Sequence, residues 1–129
     1  MLESNLGFKT ERQEQEFWSE RVDHRIRLLL LDVAAYCELK DLPPPVVTEI
    51  LRSDKEQRAL YLHTPHRRSL HQVGRAVDLR TEVDGKSHWT QERVELVMAY
   101  LRIRWGESLR ELLHHAVPGG APHLHVAVA

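Results

Sequence analysis

The sequence predicts an α+β domain in which a small central antiparallel sheet packs with three main helices. Segments with apolar residues at helical spacing predict helices. Between them lie short segments that are rich in β-branched residues or that alternate apolar and polar residues, and these predict strands. The chain has 129 residues and is 42% hydrophobic, which suits one modest core. We therefore expect a single domain over residues 1–129, with an N-terminal helix at about residues 10–40 and a core at about residues 46–129.

The first helix is predicted from Thr10 to about Lys40. Thr10 and Gln13 have the spacing of a capping box, and apolar residues follow on one helical face. The proline triplet at residues 43–45 ends this helix, because proline lacks the backbone N–H that the helix needs.

A strand and a second helix are predicted next. The β-branched run Val46–Leu51 favours a strand. Ser53 and Glu56 then form another capping box, which starts a helix that reaches about His63, where Thr64 and Pro65 break it.

The C-terminal half is predicted to contain a strand over Ala76–Thr81 and a turn at Asp84 and Gly85. Thr90 caps the third helix, which runs to about Trp105 and stops at Gly106. Two further pieces complete the chain, Leu109–Val117 and a short strand over His123–Val128.

Charge and hydropathy argue against several classes of partner. The net charge of -1 lacks the basic excess that draws nucleic acids or anionic membranes. The longest apolar run, Leu96–Leu101, is far short of the roughly 20 residues that span a bilayer, and no secretory signal is visible at the start. We therefore expect a chain made in the cytoplasm, without a membrane span or a nucleic-acid partner. Cys37, the only cysteine, is expected to be a small buried apolar residue.

The chain contains nine histidines, which is more than folding requires. One of them, His71, lies in the segment Ser69–Asp78, whose spacing suits a metal site. Imidazole and carboxylate both bind zinc, at about 2.0 to 2.2 Å, which makes His71 and Asp78 candidate ligands. Gly74 can adopt the backbone angles that fold the chain back between them, and Ala76 leaves room for an ion.

A second pair of histidines lies near the C-terminus. On a strand, His123 and His125 project from the same face about 6 to 7 Å apart, with Leu124 and Val126 buried behind them. One metal can bind both histidines, or one can bind while its neighbour transfers protons.

These motifs resemble a known group of zinc peptidases. The group contains lysostaphin, the D-alanyl-D-alanine metallopeptidases and the hedgehog signalling domain. The residues that carry the resemblance are Ser69-x-His71-x-x-Gly74-x-Ala76-x-Asp78 and His123-x-His125, with Arg52-Ser53, Gln57 and Tyr61 upstream. The resemblance covers about Val46 to Val128 and implies a fold like that of hedgehog and the D-alanyl-D-alanine peptidases.

The resemblance also implies one Zn²⁺ ion held by His71, Asp78 and His125, with water as the fourth ligand. Many relatives have a catalytic glutamate three residues before the third ligand, but this chain has Pro122 there. It is more similar to members with His-x-His, which makes His123 the expected general base.

Three further residues receive expected roles, Arg52 from the same resemblance and His115 and Ser69 from their places in the sequence. His115 is a candidate catalytic residue if the segment before the Pro118-Gly119-Gly120 turn brings it, or its neighbour His114, to the site. Arg52 is expected to contact a substrate carbonyl or carboxylate. Ser69 is expected to hold the metal-site loop or its ligand through a hydrogen bond.

The implied function is zinc-dependent hydrolysis of an amide bond in a peptidoglycan stem or cross-link peptide, by a carboxypeptidase or an endopeptidase. A small enzyme without a signal resembles phage lysis enzymes, and it would act on the cell wall once released or exported. Two alternatives remain: a non-catalytic, zinc-stabilised binding module, and a structural site closed by His71, Asp78, His123 and His125 together.

Overall fold

The computed structural model describes residues 5–64, 67–116 and 120–129. Pro65, Val117, Pro118 and Gly119, where we predicted breaks or turns, lie outside these ranges. The described helices and strands are β1 (Gly7–Phe8), α1 (Glu11–Phe17), α2 (His24–Leu39), β2 (Val46–Glu49), α3 (Asp54–Leu60), β3 (Ala76–Arg80), β4 (Glu82–Val83), β5 (Lys86–Ser87), α4 (Gln91–Trp105), β6 (Leu109–His115) and β7 (His123–Val128).

The α+β class is confirmed, but the expectation of a strictly antiparallel sheet is wrong. Five strands form one sheet in the order β1-β2-β3-β7-β6, and a separate hairpin pairs β4 with β5. All neighbours in the large sheet are antiparallel except β1 and β2, which are parallel. The first two helices connect β1 to β2, and a helical connection of this kind returns the chain in the same direction.

The single N-terminal helix predicted over about residues 10–40 is also wrong, since the chain forms α1 and α2 with a break between them. Asp23 caps α2, with its carboxylate accepting a hydrogen bond from the backbone N–H of Arg25 at 2.9 Å. The break lets both Phe17 and Val22 enter the core, where each is 2% exposed. It raises the number of α-helices in the described residues from three to four.

The other predicted element boundaries are close to those observed. The Ser53 hydroxyl accepts from the N–H of Glu56 at 3.0 Å, although α3 ends at Leu60 and not at about His63. Thr90 caps α4, which ends at Trp105, immediately before Gly106, as predicted. The hairpin turn at Asp84 and Gly85 has positive φ at both residues.

The core lies on one face of the sheet. Leu79, Leu124 and Val126 are fully buried there in one apolar cluster with residues of α2 and α4. Cys37 belongs to this cluster, as predicted, and burial raises the pKa of its thiol to about 12. Among the described residues, we find no helix with both the length and the apolar character that crossing a membrane requires.

Candidate metal centre

The first part of the site is a short 3₁₀ turn at Leu70–Val73, which presents His71. The Ser69 hydroxyl accepts a hydrogen bond from the backbone N–H of His71 at 3.2 Å. The side-chain oxygen of Gln72 in turn accepts from the N–H of Ser69 at 2.7 Å. Ser69 therefore contacts the backbone of the turn and not the imidazole of His71.

Gly74 ends this turn at a position where a side chain does not fit. Its φ is +70°, and a Cβ atom there would lie 2.0 Å from the carbonyl oxygen of Arg21. The Gly74 carbonyl also accepts a hydrogen bond from the N–H of Asp23 at 2.8 Å. The break between α1 and α2 thus packs directly against the turn that carries His71.

The second part of the site is the face of β3, β7 and β6 opposite the core, which we call the site face. Directly opposed residues in a sheet lie on the same face. His125 lies between Asp78 on β3 and Leu113 on β6, and His123 lies between Arg80 and His115. The site face therefore gathers Asp78, His115, His123 and His125, which are far apart in sequence.

A β-bulge sets which residues of β6 belong to this face. Leu109 pairs with Val128, but Glu111 and not Arg110 pairs with Ala127. The extra residue shifts the register by one, and such a shift exchanges the two faces of a strand. Consequently Glu111 and His115 lie on the site face. His114 points to the other side, where its Nε2 lies 2.9 Å from the Thr81 hydroxyl.

Three ligand atoms converge at the centre of the site. Asp78 Oδ1 lies 3.1 Å from His71 Nε2 and 2.9 Å from His125 Nδ1. One ligand atom from each of the three residues lies within 4.8 Å of the others, and all three side chains are buried. Ligand atoms of a tetrahedral zinc site lie about 3.3 Å apart, given bonds of about 2.0 to 2.2 Å. His71, Asp78 and His125 can therefore hold a metal ion.

The protonation of His71 supports a cation at this position. Its Nδ1 lies 2.9 Å from the carbonyl oxygen of Ile50, which can only accept, so the ring proton is on Nδ1. The lone pair of Nε2 then faces the Asp78 carboxylate, and this buried nitrogen has no hydrogen-bond partner among the described residues. A buried acceptor that faces a carboxylate is unfavourable unless a proton or a metal ion lies between them.

The electrostatics of the cluster keep Asp78 ionised. Burial alone would raise the pKa of its carboxyl group, but the neighbouring imidazoles of His71, His125 and His123 hold it well below the usual range. Burial lowers the pKa of His125, yet its carboxylate neighbours outweigh burial and leave that pKa above its ordinary value. Asp78 is thus available as an anionic ligand.

Two more histidines adjoin this cluster. His123 Nε2 lies 3.2 Å from Asp78 Oδ2, the second oxygen of the carboxylate. The centroid of the His115 ring lies 5.2 Å from the centroid of the His123 ring and 5.7 Å from that of the His125 ring. Burial is the main cause that lowers the pKa of His115 and favours its neutral imidazole; a proton on His123 or His125 would lower this pKa further. The Nε2 atoms of His115 and His123 are also buried without a hydrogen-bond partner in the part of the chain described.

Arg52 lies beside the cluster, but protein groups already bind its guanidinium. Two of its nitrogens contact the Glu49 carboxylate and a third donates to Gln57 at 2.7 Å. The side chain is 3% exposed. Its backbone N–H donates to the carbonyl of His71 at 3.1 Å. This hydrogen bond joins the turn that carries His71 to the segment that follows β2.

Sequence reasoning missed Glu111. Its Oε1 lies 2.8 Å from His125 Nε2, on the opposite side of the imidazole from Asp78. The side chain is 41% exposed. It stands outside both histidine motifs, and the bulge that turns it toward the site has no visible signal in the sequence.

Two cavities meet at the cluster. One, of about 450 Å³, is lined by Arg52, Tyr61, Glu111 and His115, together with the three ligand residues. The other, of about 700 Å³, is lined by Glu49, Arg80 and Pro122 among others. Asp78 and His123 line both cavities.

Comparisons with known proteins add no family assignment: no family model matches the chain, and no curated protein or solved structure matches it either.

Proposed function

We propose that the chain is a zinc-dependent hydrolase of amide bonds in peptidoglycan-type peptides. The single observation that carries this proposal is the convergence of His71, Asp78 and His125 at the junction of two cavities. Three buried ligands that adjoin open space are typical of a catalytic metal site, whereas structural sites are closed by four protein ligands.

Zinc is the proposed metal because the ligand set is two imidazoles and one carboxylate. This combination of nitrogen and oxygen donors is found in hydrolytic zinc sites. When bound, zinc acts as a Lewis acid that polarises a carbonyl group and lowers the pKa of a coordinated water to about 7.

His123 is the proposed general base. Its Nδ1 lies 3.3 Å from the carbonyl oxygen of Ala121, so the ring proton is on Nδ1 and the lone pair of Nε2 is free to accept a proton. Nε2 faces the metal cluster, 3.2 Å from Asp78 Oδ2. A base in this position takes the proton from the attacking water and passes it to the leaving amine.

His115 and Arg52 assist in this scheme. His115 lines the smaller cavity next to His123 and is held neutral, which suits a hydrogen-bond donor to the oxygen that becomes negative during attack. Arg52 lines the same cavity, and we propose that it contacts the substrate through N–H groups that Glu49 and Gln57 leave available.

The proposed substrate is a chain that passes through both cavities. Asp78 and His123 line both cavities, so a scissile bond placed beside them would have room for substrate on either side. The peptidoglycan class, the hedgehog-like fold and an action at the cell wall come from the sequence resemblance.

One observation favours a second candidate, a zinc-stabilised binding module without catalysis. Pro122 occupies the position of the usual glutamate and has no group that transfers protons. In this candidate His123 either supports the site or becomes a fourth ligand.

The test is zinc-dependent release of peptide fragments from purified peptidoglycan. The wild type, His123→Ala, His71→Ala and a control, His24→Ala, are compared; His24 is exposed at the start of α2. If the proposal is correct, His123→Ala keeps the zinc content and loses activity by about 100-fold or more. His71→Ala loses both, and His24→Ala keeps both.

Two results would contradict the proposal. Tight zinc binding without release of any fragment supports the binding module. Loss of zinc in His123→Ala indicates a closed site with four protein ligands.

A further inference from the structure

The His125 imidazole lies between two carboxylates. Asp78 Oδ1 is 2.9 Å from its Nδ1, and Glu111 Oε1 is 2.8 Å from its Nε2. A neutral imidazole has only one ring N–H, so only one of the two carboxylates can accept a hydrogen bond from it. Only one of these two arrangements leaves Nδ1 able to bind a metal.

The ring proton therefore decides whether His125 can act as a ligand. If Asp78 accepts the hydrogen bond, the ring proton is on Nδ1, which is then a donor, and the metal site loses one of its three ligand atoms. If Glu111 accepts it, the ring proton is on Nε2, and Nδ1 presents its lone pair beside Asp78 Oδ1 and His71 Nε2. A metal-bound imidazole commonly donates its other N–H to a carboxylate or a carbonyl in this way.

His71 shows the same arrangement with the opposite nitrogens. Its Nδ1 donates to the backbone carbonyl of Ile50, and Nε2 faces the metal cluster. That partner is fixed by the backbone, whereas the partner of His125 is a side chain that is 41% exposed. Substitution of Glu111 can therefore remove the partner of His125 without disturbing the core.

We propose that Glu111 is a positioning residue, which holds the ring proton of His125 on Nε2 and so presents Nδ1 to the metal. This inference rests on the proposed zinc site and adds one residue to it. Glu111 reaches His125 because the bulge at Arg110 turns it to the site face, opposite Ala127, whose small side chain leaves room. Its negative charge also makes His125 a stronger donor to the metal.

The experiment compares Glu111→Ala and Glu111→Gln with the wild type. Glutamine retains an oxygen that can accept from Nε2–H, whereas alanine does not. Zinc affinity is measured by competition with a chromophoric chelator. We expect it to fall about 10- to 100-fold in Glu111→Ala and less than about 10-fold in Glu111→Gln. Glu107→Ala, which removes an exposed carboxylate just before β6, serves as the control and should match the wild type.

A second measurement reports the tautomer itself. The ¹⁵N chemical shifts of His125 are recorded in the metal-free protein at alkaline pH, where the imidazoles are neutral. We expect a larger Nε2–H fraction in the wild type and in Glu111→Gln than in Glu111→Ala, where the proton moves to Nδ1 and Asp78.

The outcomes separate this inference from the proposed function. An unchanged tautomer and unchanged zinc affinity in Glu111→Ala would overturn it. A wild type that binds no zinc would contradict the proposed function, while the tautomer shift would still test the role of Glu111. A wild type that binds zinc but releases no peptide would contradict catalysis alone.

Discussion

The core face and the site face of β3, β7 and β6 share one backbone but are stabilised differently. On the core face, Leu79, Leu124 and Val126 are fully buried against α2 and α4. On the site face, Asp78 and His125 are buried among other ionisable groups. Apolar burial stabilises the folded state, whereas burial of charged groups is unfavourable unless each has a partner. We infer that the core face stabilises the fold through apolar burial, whereas the site face depends on pairing among its ionisable groups, to which a bound cation would add.

The largest expected effect is on the site face, through metal removal. A ligand that binds only the folded state stabilises it by about 4 kcal/mol when its concentration is about 1,000 times its Kd. We expect zinc at this excess to raise the free energy of unfolding by about that amount, and a chelator to reverse the effect. Urea denaturation with and without zinc measures it.

The matched control for this prediction is Asp78→Asn. It keeps the size of the side chain but removes the charge that binds the cation. Its stability should respond to zinc much less than that of the wild type. An equal response in both proteins would show that zinc binds elsewhere, and the contrast between the two faces would fail.

The next effect is on the core face, where Leu124 lies between His123 and His125 in sequence but points the other way. Leu124→Ala should lower the free energy of unfolding by about 3 kcal/mol, because it leaves a cavity in the apolar cluster. Chemical denaturation of the metal-free protein measures this loss.

Leu113→Ala is the control for Leu124→Ala. Leu113 is on the site face of β6 and 50% exposed, so its truncation should cost less than about 1 kcal/mol. Similar losses at the two positions would contradict the division into faces.

The smallest effect concerns an ion pair outside both faces, between Arg12 of α1 and Glu56 of α3. Hydrogen bonds from Arg12, together with those at the Ser53 cap, lower the pKa of Glu56 to about 2. Its contribution to stability is therefore present above the ordinary pKa of 4.5 and is lost as the pH falls from there toward about 2. The contribution should be under about 1 kcal/mol, because the pair is partly exposed.

Glu56→Gln tests this pair by urea denaturation of the metal-free protein across that pH range. The variant should lose less stability than the wild type on acidification, while Glu20→Gln, which alters an exposed residue, should behave like the wild type. An identical acid profile for all three proteins would contradict a role for the pair.

The parts of the fold that depend on neighbouring residues could be predicted from the sequence. The caps at Ser53 and Thr90 and the turn at Asp84 involve contacts over a few residues, and all three are observed. The break between α1 and α2 could not be predicted, because apolar spacing continues across it. Its cause is packing of Asp23 and Arg21 against Gly74, about 50 residues later in sequence.

The candidate site was predictable to the same limit. His71 and Asp78 belong to one sequence motif and His125 to another, so the sequence predicts all three as ligands. The structure brings their ligand atoms together. The sequence does not predict which residues of β6 lie on the site face. The bulge at Arg110 adds one residue to the strand, and this extra residue determines that His115, and not His114, lies on that face. Glu111 was missed for the same reason.

The turn that carries His71 is joined by backbone hydrogen bonds to three separate segments. Asp23 donates to Gly74, Arg52 donates to His71, and Val128 donates to Arg75. In a zinc finger the ion organises a chain that is otherwise unfolded. Here backbone hydrogen bonds tie the turn that carries His71 to three other segments. A metal at this site would therefore meet one ligand whose position depends on the rest of the fold.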